Sequence, residues 1–97
     1  MIKPDDFVSR SDDLAFRVIQ GEAIILTAKD RVIHTLNEVG TRIWELIDTG
    51  IKVGDLIAKI CEEYEVDERQ AERDVLEFLG ELKEKGIIVI QGAGDEG

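Results

Sequence analysis

The chain is poor in the side chains on which most enzymes depend. Its 97 residues include one histidine (His34), one cysteine (Cys61), one tyrosine and two serines, and both serines lie in the polar N-terminal run. A nucleophile, a base and a group that orients the base can hardly be assembled from this set. One cysteine excludes an intramolecular disulfide and a multi-cysteine metal cluster. The sequence therefore predicts a protein that is not an enzyme and holds no cofactor and no metal.

Basic residues and long apolar runs are also scarce. The chain has 12 Lys and Arg against 22 Asp and Glu, a formal net charge of −10. This charge disfavours nucleic acid and anionic membrane surfaces as partners, because both recruit basic side chains. No apolar run approaches the ~20 residues of a membrane helix, and no signal-like segment begins the chain. We expect one soluble, cytoplasmic domain over residues 1–97.

What the chain does contain is an ordered change of periodicity. Residues 14–19, 22–28 and 31–36 are apolar and β-branched, separated by breaks short enough for hairpin turns, and they predict a three-stranded antiparallel meander. After Leu36 the apolar spacing becomes helical. The polar ends, residues 1–12 and 91–97, are expected to be flexible.

Three helices are predicted after the meander. Asn37 is a good N-cap for the first, which Gly50 would stop, and the second spans about 54–64. Asp67 begins the third helix, near 68–85, and Gly86 stands where a helix would end. Residues 87–90 have room for one short strand. The fold class is therefore α+β: a three-stranded antiparallel β-meander followed by a three-helix, winged-helix-like bundle with a short C-terminal strand.

Two features of this arrangement favour binding. The strand 31–36 ends the meander, so one of its edges offers unpaired backbone groups to an added strand. On the third helix, a core face is predicted from four residues: Ala71, Val75, Phe78 and Leu82. Leu76 and Leu79 lie off that face, beside Glu72 and Lys83, and predict the wall of an apolar groove.

The stretch LNEVGTRIWELIDTG, residues 36–50, carries a family resemblance. Leu36-Asn37, Gly40, Ile43-Trp44 and 48–50 resemble the recurrent signature of the PqqD family, small peptide-binding proteins that serve enzymes maturing ribosomally made peptides. The resemblance continues through the helical segments and 85–90, and it covers about two-thirds of the chain. The signature residues are implied to be structural: an N-cap, a close packing point at Gly40 and a core aromatic at Trp44.

The resemblance implies a leader peptide that docks as an extra strand against the third meander strand and packs on the third helix. The implied backbone-pairing residues are Val32, Ile33, His34 and Thr35. The implied helix wall consists of Glu72, Leu76, Leu79 and Lys83. The implied function is a non-catalytic peptide chaperone that delivers a precursor to a radical S-adenosylmethionine enzyme or another modifying enzyme, in quinone cofactor synthesis or another pathway.

Two other functions are also compatible with the sequence. A winged-helix transcriptional regulator, or an acidic protein-interaction module derived from one, would share the helices, although its reading helix should present basic and amide side chains outward. A structural assembly subunit without a peptide ligand is the third reading. A monomer or a weak homodimer is expected.

Overall fold

A computed structural model of the chain describes residues 2–92. The elements in chain order are β1 (Phe7–Arg10), β2 (Leu14–Ile19), β3 (Glu22–Thr27), β4 (Val32–Thr35), α1 (Glu38–Leu46), β5 (Ile51–Lys52), α2 (Val53–Tyr64), α3 (Glu68–Glu84) and β6 (Ile88–Gln91). The strands form two three-stranded antiparallel sheets, in the orders β5-β1-β6 and β2-β3-β4. The α+β class and the predicted order of meander, three helices and short strand are confirmed.

The meander β2-β3-β4 follows from its turns. Gln20 and Gly21, both with positive φ, form a two-residue hairpin that makes Ile19 and Glu22 the closing pair. Such turns match the twist of the strands that they join. The inner face of β3, Ala23, Ile25 and Thr27, is buried against the helices.

The helices begin where their caps predict. The Asn37 side chain accepts a hydrogen bond from the Gly40 N–H at 2.8 Å, and Asp67 caps α3 by accepting from the N–H groups of Arg69 and Gln70. These bonds satisfy donors that the first turn of a helix leaves free. The first helix ends at Leu46, earlier than Gly50. Gly50 instead adopts φ +95° in the following turn, against the Phe7 ring.

The sheet β5-β1-β6 was not predicted. Its central strand, β1, lies within the N-terminal run expected to be flexible, and it pairs with β5 on one side and β6 on the other. The preceding residues cap α2, because the Val53 and Gly54 N–H groups donate to the carbonyls of Asp6 and Pro4, both at 2.8 Å. At the other end of the chain, Gln91 closes β6, and residues 93–97 lie outside the described residues.

Trp44 lies between the two sheets and is fully buried, as its place in the first helix predicted. The Arg10 guanidinium of β1 stacks 4.2 Å from the Trp44 ring and 4.6 Å from the Phe16 ring of β2. Arg10 also donates to the Trp44 carbonyl, at 2.7 and 3.2 Å, and pairs with Asp48 at 3.0 Å. One arginine therefore joins β1, β2 and the end of α1.

The core face of α3 differs from the prediction at two neighbouring positions. The buried residues are Ala71, Val75, Leu79 and Leu82, whereas Phe78 is half-buried. Both residues fit an amphipathic stripe that already contains 71, 75 and 82. The helix is rotated so that Leu79 fills the core and the Phe78 ring lies over Gly40, where it leaves 2.9 Å to the position of an added Cβ. The placement of Leu79 off the core face is therefore wrong. Among residues 2–92, the helices lack the combination of length and hydrophobicity that a membrane span requires.

Candidate functional site

Strand β4 is an edge of its sheet in the described chain, and its hydrogen-bond register decides which backbone groups are available. The Leu36 N–H donates to the Ala23 carbonyl at 2.9 Å, which marks these two residues as a hydrogen-bonded pair. Hydrogen-bonded and non-hydrogen-bonded pairs alternate in an antiparallel ladder. His34 therefore directs its N–H and C=O toward β3, whereas Ile33 and Thr35 direct theirs away from it. Two residues of β4 offer free donors and acceptors to an added strand.

Beside this edge lies an open groove of about 430 Å³ between β4 and the C-terminal half of α3. It is lined by Ile33, His34, Thr35, Leu36, Asn37, Phe78, Glu81, Leu82 and Lys85. The Ile33 side chain is 67% exposed on the opposite, outer face of the sheet, across from Leu26 of β3, which is 41% exposed. A strand added to β4 would thus have apolar surface on its outer side and a mixed apolar and charged groove on its inner side.

The structure keeps three of the strand residues predicted for the site together and separates them from the predicted helix wall. Ile33, His34 and Thr35 line the groove, and Val32 begins the same strand. Leu79 is fully buried in the core and offers no surface. Glu72 is half-buried in the N-terminal half of α3. The residues of α3 and of its C-cap that line the groove are instead Phe78, Glu81, Leu82 and Lys85, none of which was predicted as a wall.

Leu76 and Lys83 lie on another flank of α3. They line an open hollow of about 640 Å³ together with Ile2, Glu77, Gly80 and Glu84. Ile2, near the N-terminus, therefore lies beside this flank of α3. Gly40 was the sequence signal that could have indicated Phe78, since a signature glycine marks a point where a bulky neighbour approaches closely, and the Phe78 ring lies against it.

A second hollow of about 460 Å³ adjoins the groove where β4 ends. Asn37 and Phe78 line both, and the remaining walls are mainly apolar: Val39, Gly40, Ile43, Ile60, Tyr64, Val66, Ala71, Asp74 and Val75. Burial raises the pKa of the Tyr64 phenol, and the nearby carboxylate of Glu38 acts in the same direction. The second hollow therefore lies next to the groove, on the apolar side of α1 and α2.

The turn before β4 is held by a polar contact. The Thr27 hydroxyl hydrogen-bonds the Asp30 carboxylate, and this bond holds the pKa of Asp30 below its ordinary value. Arg31 takes a positive φ of 56° directly before the strand. Three charged residues, Lys29, Asp30 and Arg31, therefore flank one end of the open edge, as in natural sheets that limit unwanted pairing.

Comparison with known proteins assigns the family. The profile of the family described as Coenzyme PQQ synthesis protein D (PqqD) matches residues 22–88, from β3 to the first residue of β6. This chain belongs to the PqqD family. The match covers both walls of the groove, β4 and α3, and it confirms the resemblance carried by residues 36–50.

A solved structure, TbiB1 in complex with the TbiA(beta) leader peptide, resembles the chain over most of its length. The two superpose with a TM-score of 0.78 at 32% sequence identity, covering 82% of this chain and 93% of TbiB1. TbiB1, which binds a leader peptide in that structure, and this PqqD-family chain therefore have the same fold. No protein with a curated description matches the chain.

Proposed function

We propose that this PqqD-family chain binds the leader of a ribosomally made precursor peptide as an added strand beside β4. The observation that carries the proposal is the open edge of β4, where Ile33 and Thr35 turn their backbone groups outward beside the groove. Strand addition uses backbone bonds for affinity, and pockets for alternate side chains give specificity. The family membership and the leader peptide bound to TbiB1 support the same function.

The register predicts how such a peptide is read. Peptide residues directly opposite Ile33 and Thr35 place their side chains on the outer face, beside Ile33 and Thr35, with Leu26 and Ile24 of β3 on the far side of these two. The residue between them, opposite His34, points inward toward Phe78. A peptide that continues past Asn37 reaches the second, apolar hollow. We therefore expect a leader with an apolar side chain at the inward position and another beyond the paired segment.

The chain acts in this proposal as a non-catalytic carrier. It holds the leader and delivers the precursor to a peptide-modifying enzyme, such as a radical S-adenosylmethionine maturase. Scarce nucleophiles and bases support a binding role, and the acidic charge favours a peptide over nucleic acid as the ligand.

Amide shift mapping tests the site directly. The labelled chain is titrated with the synthetic TbiA(beta) leader, the peptide bound by the similar structure. We expect the Ile33 and Thr35 amides to shift and to become protected from exchange, because their outward N–H groups gain acceptors. Shifts confined to α2 and β6, with β4 silent, would show that the groove is wrong.

A matched pair of proline variants separates an effect on leader binding from an effect on the stability of the fold. Thr35→Pro removes an outward N–H and should weaken leader binding about tenfold while the chain stays folded. His34→Pro, one position earlier, removes a bond of the β3-β4 ladder and should lower the free energy of unfolding. Calorimetric titration and urea unfolding measure the two effects. Equal binding by Thr35→Pro and the parent chain contradicts strand addition at β4.

A second pair tells the two flanks of α3 apart. Glu81→Lys changes a charge in the groove, and Glu77→Lys makes the same change in the hollow that contains Leu76. Leader affinity should change only in the Glu81 variant. A change confined to Glu77→Lys, together with loss of binding in Leu76→Asp, would favour the helix wall that the family resemblance implied.

A further inference from the structure

The other edge of the meander, β2, is an exposed apolar strand. Within residues 2–92 its strand partner is β3 on one side, and no strand pairs with its other side. Three of its large side chains are 40–47% exposed: Phe16, Val18 and Ile19. Its one charged residue is Arg17. Long apolar edges without several charges or a proline readily pair with another chain, so this edge needs an explanation.

The ladder fixes which groups β2 presents. Ile19 and Glu22 close a two-residue hairpin, and the Ala28 N–H donates to the Asp13 carbonyl at 3.2 Å. These two pairs set the alternation between them. Ala15 and Arg17 therefore point their backbone groups at β3. Their neighbours in β2, Leu14, Phe16 and Val18, point outward. The Leu14 N–H already donates to the Asp12 carbonyl at 3.0 Å, so Leu14 offers its carbonyl, whereas Phe16 and Val18 offer both groups.

The geometry points to a second copy of this chain as the occupant of the β2 edge, through antiparallel β2–β2 pairing centred on Phe16. In this register Phe16 meets Phe16 of the second copy, and Val18 meets Leu14. Arg17 lies across from Ala15 of the second copy, so no like charges face each other. The strand is complementary to itself, as a two-fold interface requires.

The charge distribution favours contact through the meander over contact through other surfaces of the two copies. Residues 14–36 contain three basic and two acidic side chains, a net charge of +1, whereas the rest of the chain carries −11. Two copies that meet through the meander keep their acidic parts apart. Phe16 is also held in place, since its ring meets Trp44 edge-on at 5.3 Å and Arg10 stacks on it.

The resulting sheet would have six strands, with a β4 edge at each end. Both β4 edges remain open, so the interface does not rest on the proposed function and does not compete with it. A single strand pair buries less than the ~800 Å² per partner of a standard interface. We therefore expect a reversible dimer with a dissociation constant of ~10–1000 µM.

Sedimentation velocity across micromolar to millimolar concentration tests the dimer. The mass of the full chain should rise from the 10.9 kDa monomer toward twice that value. Ala15→Lys places a lysine opposite Arg17 in both halves and should weaken association roughly tenfold. Ala15→Glu places an opposite charge there and should strengthen it several-fold.

The exposed Ala28 supplies the control. Ala28→Lys and Ala28→Glu change the net charge equally but lie beyond the paired strand, and they should leave association unchanged. Far-UV circular dichroism checks that each variant is folded. A chain that stays monomeric at millimolar concentration overturns the proposal. The proposal is also overturned if the two Ala15 variants change association no more than the two Ala28 variants do, because a contact elsewhere would respond only to the net charge.

Discussion

The sheet β5-β1-β6 joins distant parts of the chain, whereas the sheet β2-β3-β4 is formed by one continuous segment. The central strand of the first contains Val8, which is fully buried, and its last residue, Arg10, is hydrogen-bonded to the Trp44 carbonyl near the end of α1. The second exposes six large apolar side chains, those of Phe16, Val18, Ile19, Leu26, Val32 and Ile33, whereas the first exposes two, those of Phe7 and Val89. The first sheet therefore connects distant parts of the core, and the surfaces proposed for binding both lie on the second.

Trp44 should show the largest effect, because it contacts both sheets. Trp44→Ala removes a fully buried ring that meets Arg10 and Phe16, and it should cost about 3–5 kcal/mol in the free energy of unfolding. Urea unfolding followed by circular dichroism measures the loss, with Trp44→Phe as a milder control. A near-neutral result would place the ring outside the core.

Arg10 should come next, because it connects the sheets through polar contacts. Arg10→Met keeps an apolar stem but removes the donors to the Trp44 carbonyl and the ion pair with Asp48. We expect a loss of about 2–3 kcal/mol, measured by urea unfolding. Arg17→Met, at an exposed position of β2, is the control and should stay within about 0.5 kcal/mol. Equal losses would mean that Arg10 contributes no more than a surface arginine.

Two valines compare the sheets directly. Val8→Ala in β1 removes fully buried methyl groups and should cost about 2 kcal/mol. Val18→Ala in β2 makes the same change at a side chain that is 40% exposed, and should cost less than about 0.5 kcal/mol. Thermal unfolding of the two variants gives the difference. The comparison between the sheets fails if Val18→Ala is as costly as Val8→Ala.

The smallest effect concerns the turn before β4. The lowered pKa of Asp30 means that its ionised form stabilises the fold above its ordinary pKa, and that this contribution is lost as pH falls through the lowered value. Asp30→Asn should therefore be slightly less stable near neutral pH, and the difference should vanish at low pH. Unfolding curves against pH measure it. A difference that grows on acidification contradicts the Thr27–Asp30 bond.

Local sequence patterns predicted most of the helices and strands, and there are physical reasons for those that they did not predict. Period-two alternation and hairpin signals located β2 to β4, and caps located the starts of α1 and α3. Strands β1 and β5 have four and two residues, and their pairing is set by distant parts of the chain, which no local period reports. Phe78 and Leu79 are adjacent on a helix whose other core residues fit either one, so only the contact with Gly40 decides between them. Leu76 and Lys83 lie on one flank of the core face, and Phe78, Glu81 and Lys85 lie on the other. The helical pattern marks both flanks and does not say which of them meets β4.

The pairing of β1 with β6 also governs the order of folding. The meander uses near neighbours in sequence, and contacts between near neighbours form fastest because little chain entropy is lost in closing their loops. Strands β1 and β6 enclose all of the other elements of the described chain in sequence, so their pairing closes the longest loop in the fold. This pairing cannot form before the elements between them have been made. The meander needs no residue after β4, so the two sheets become complete at different times.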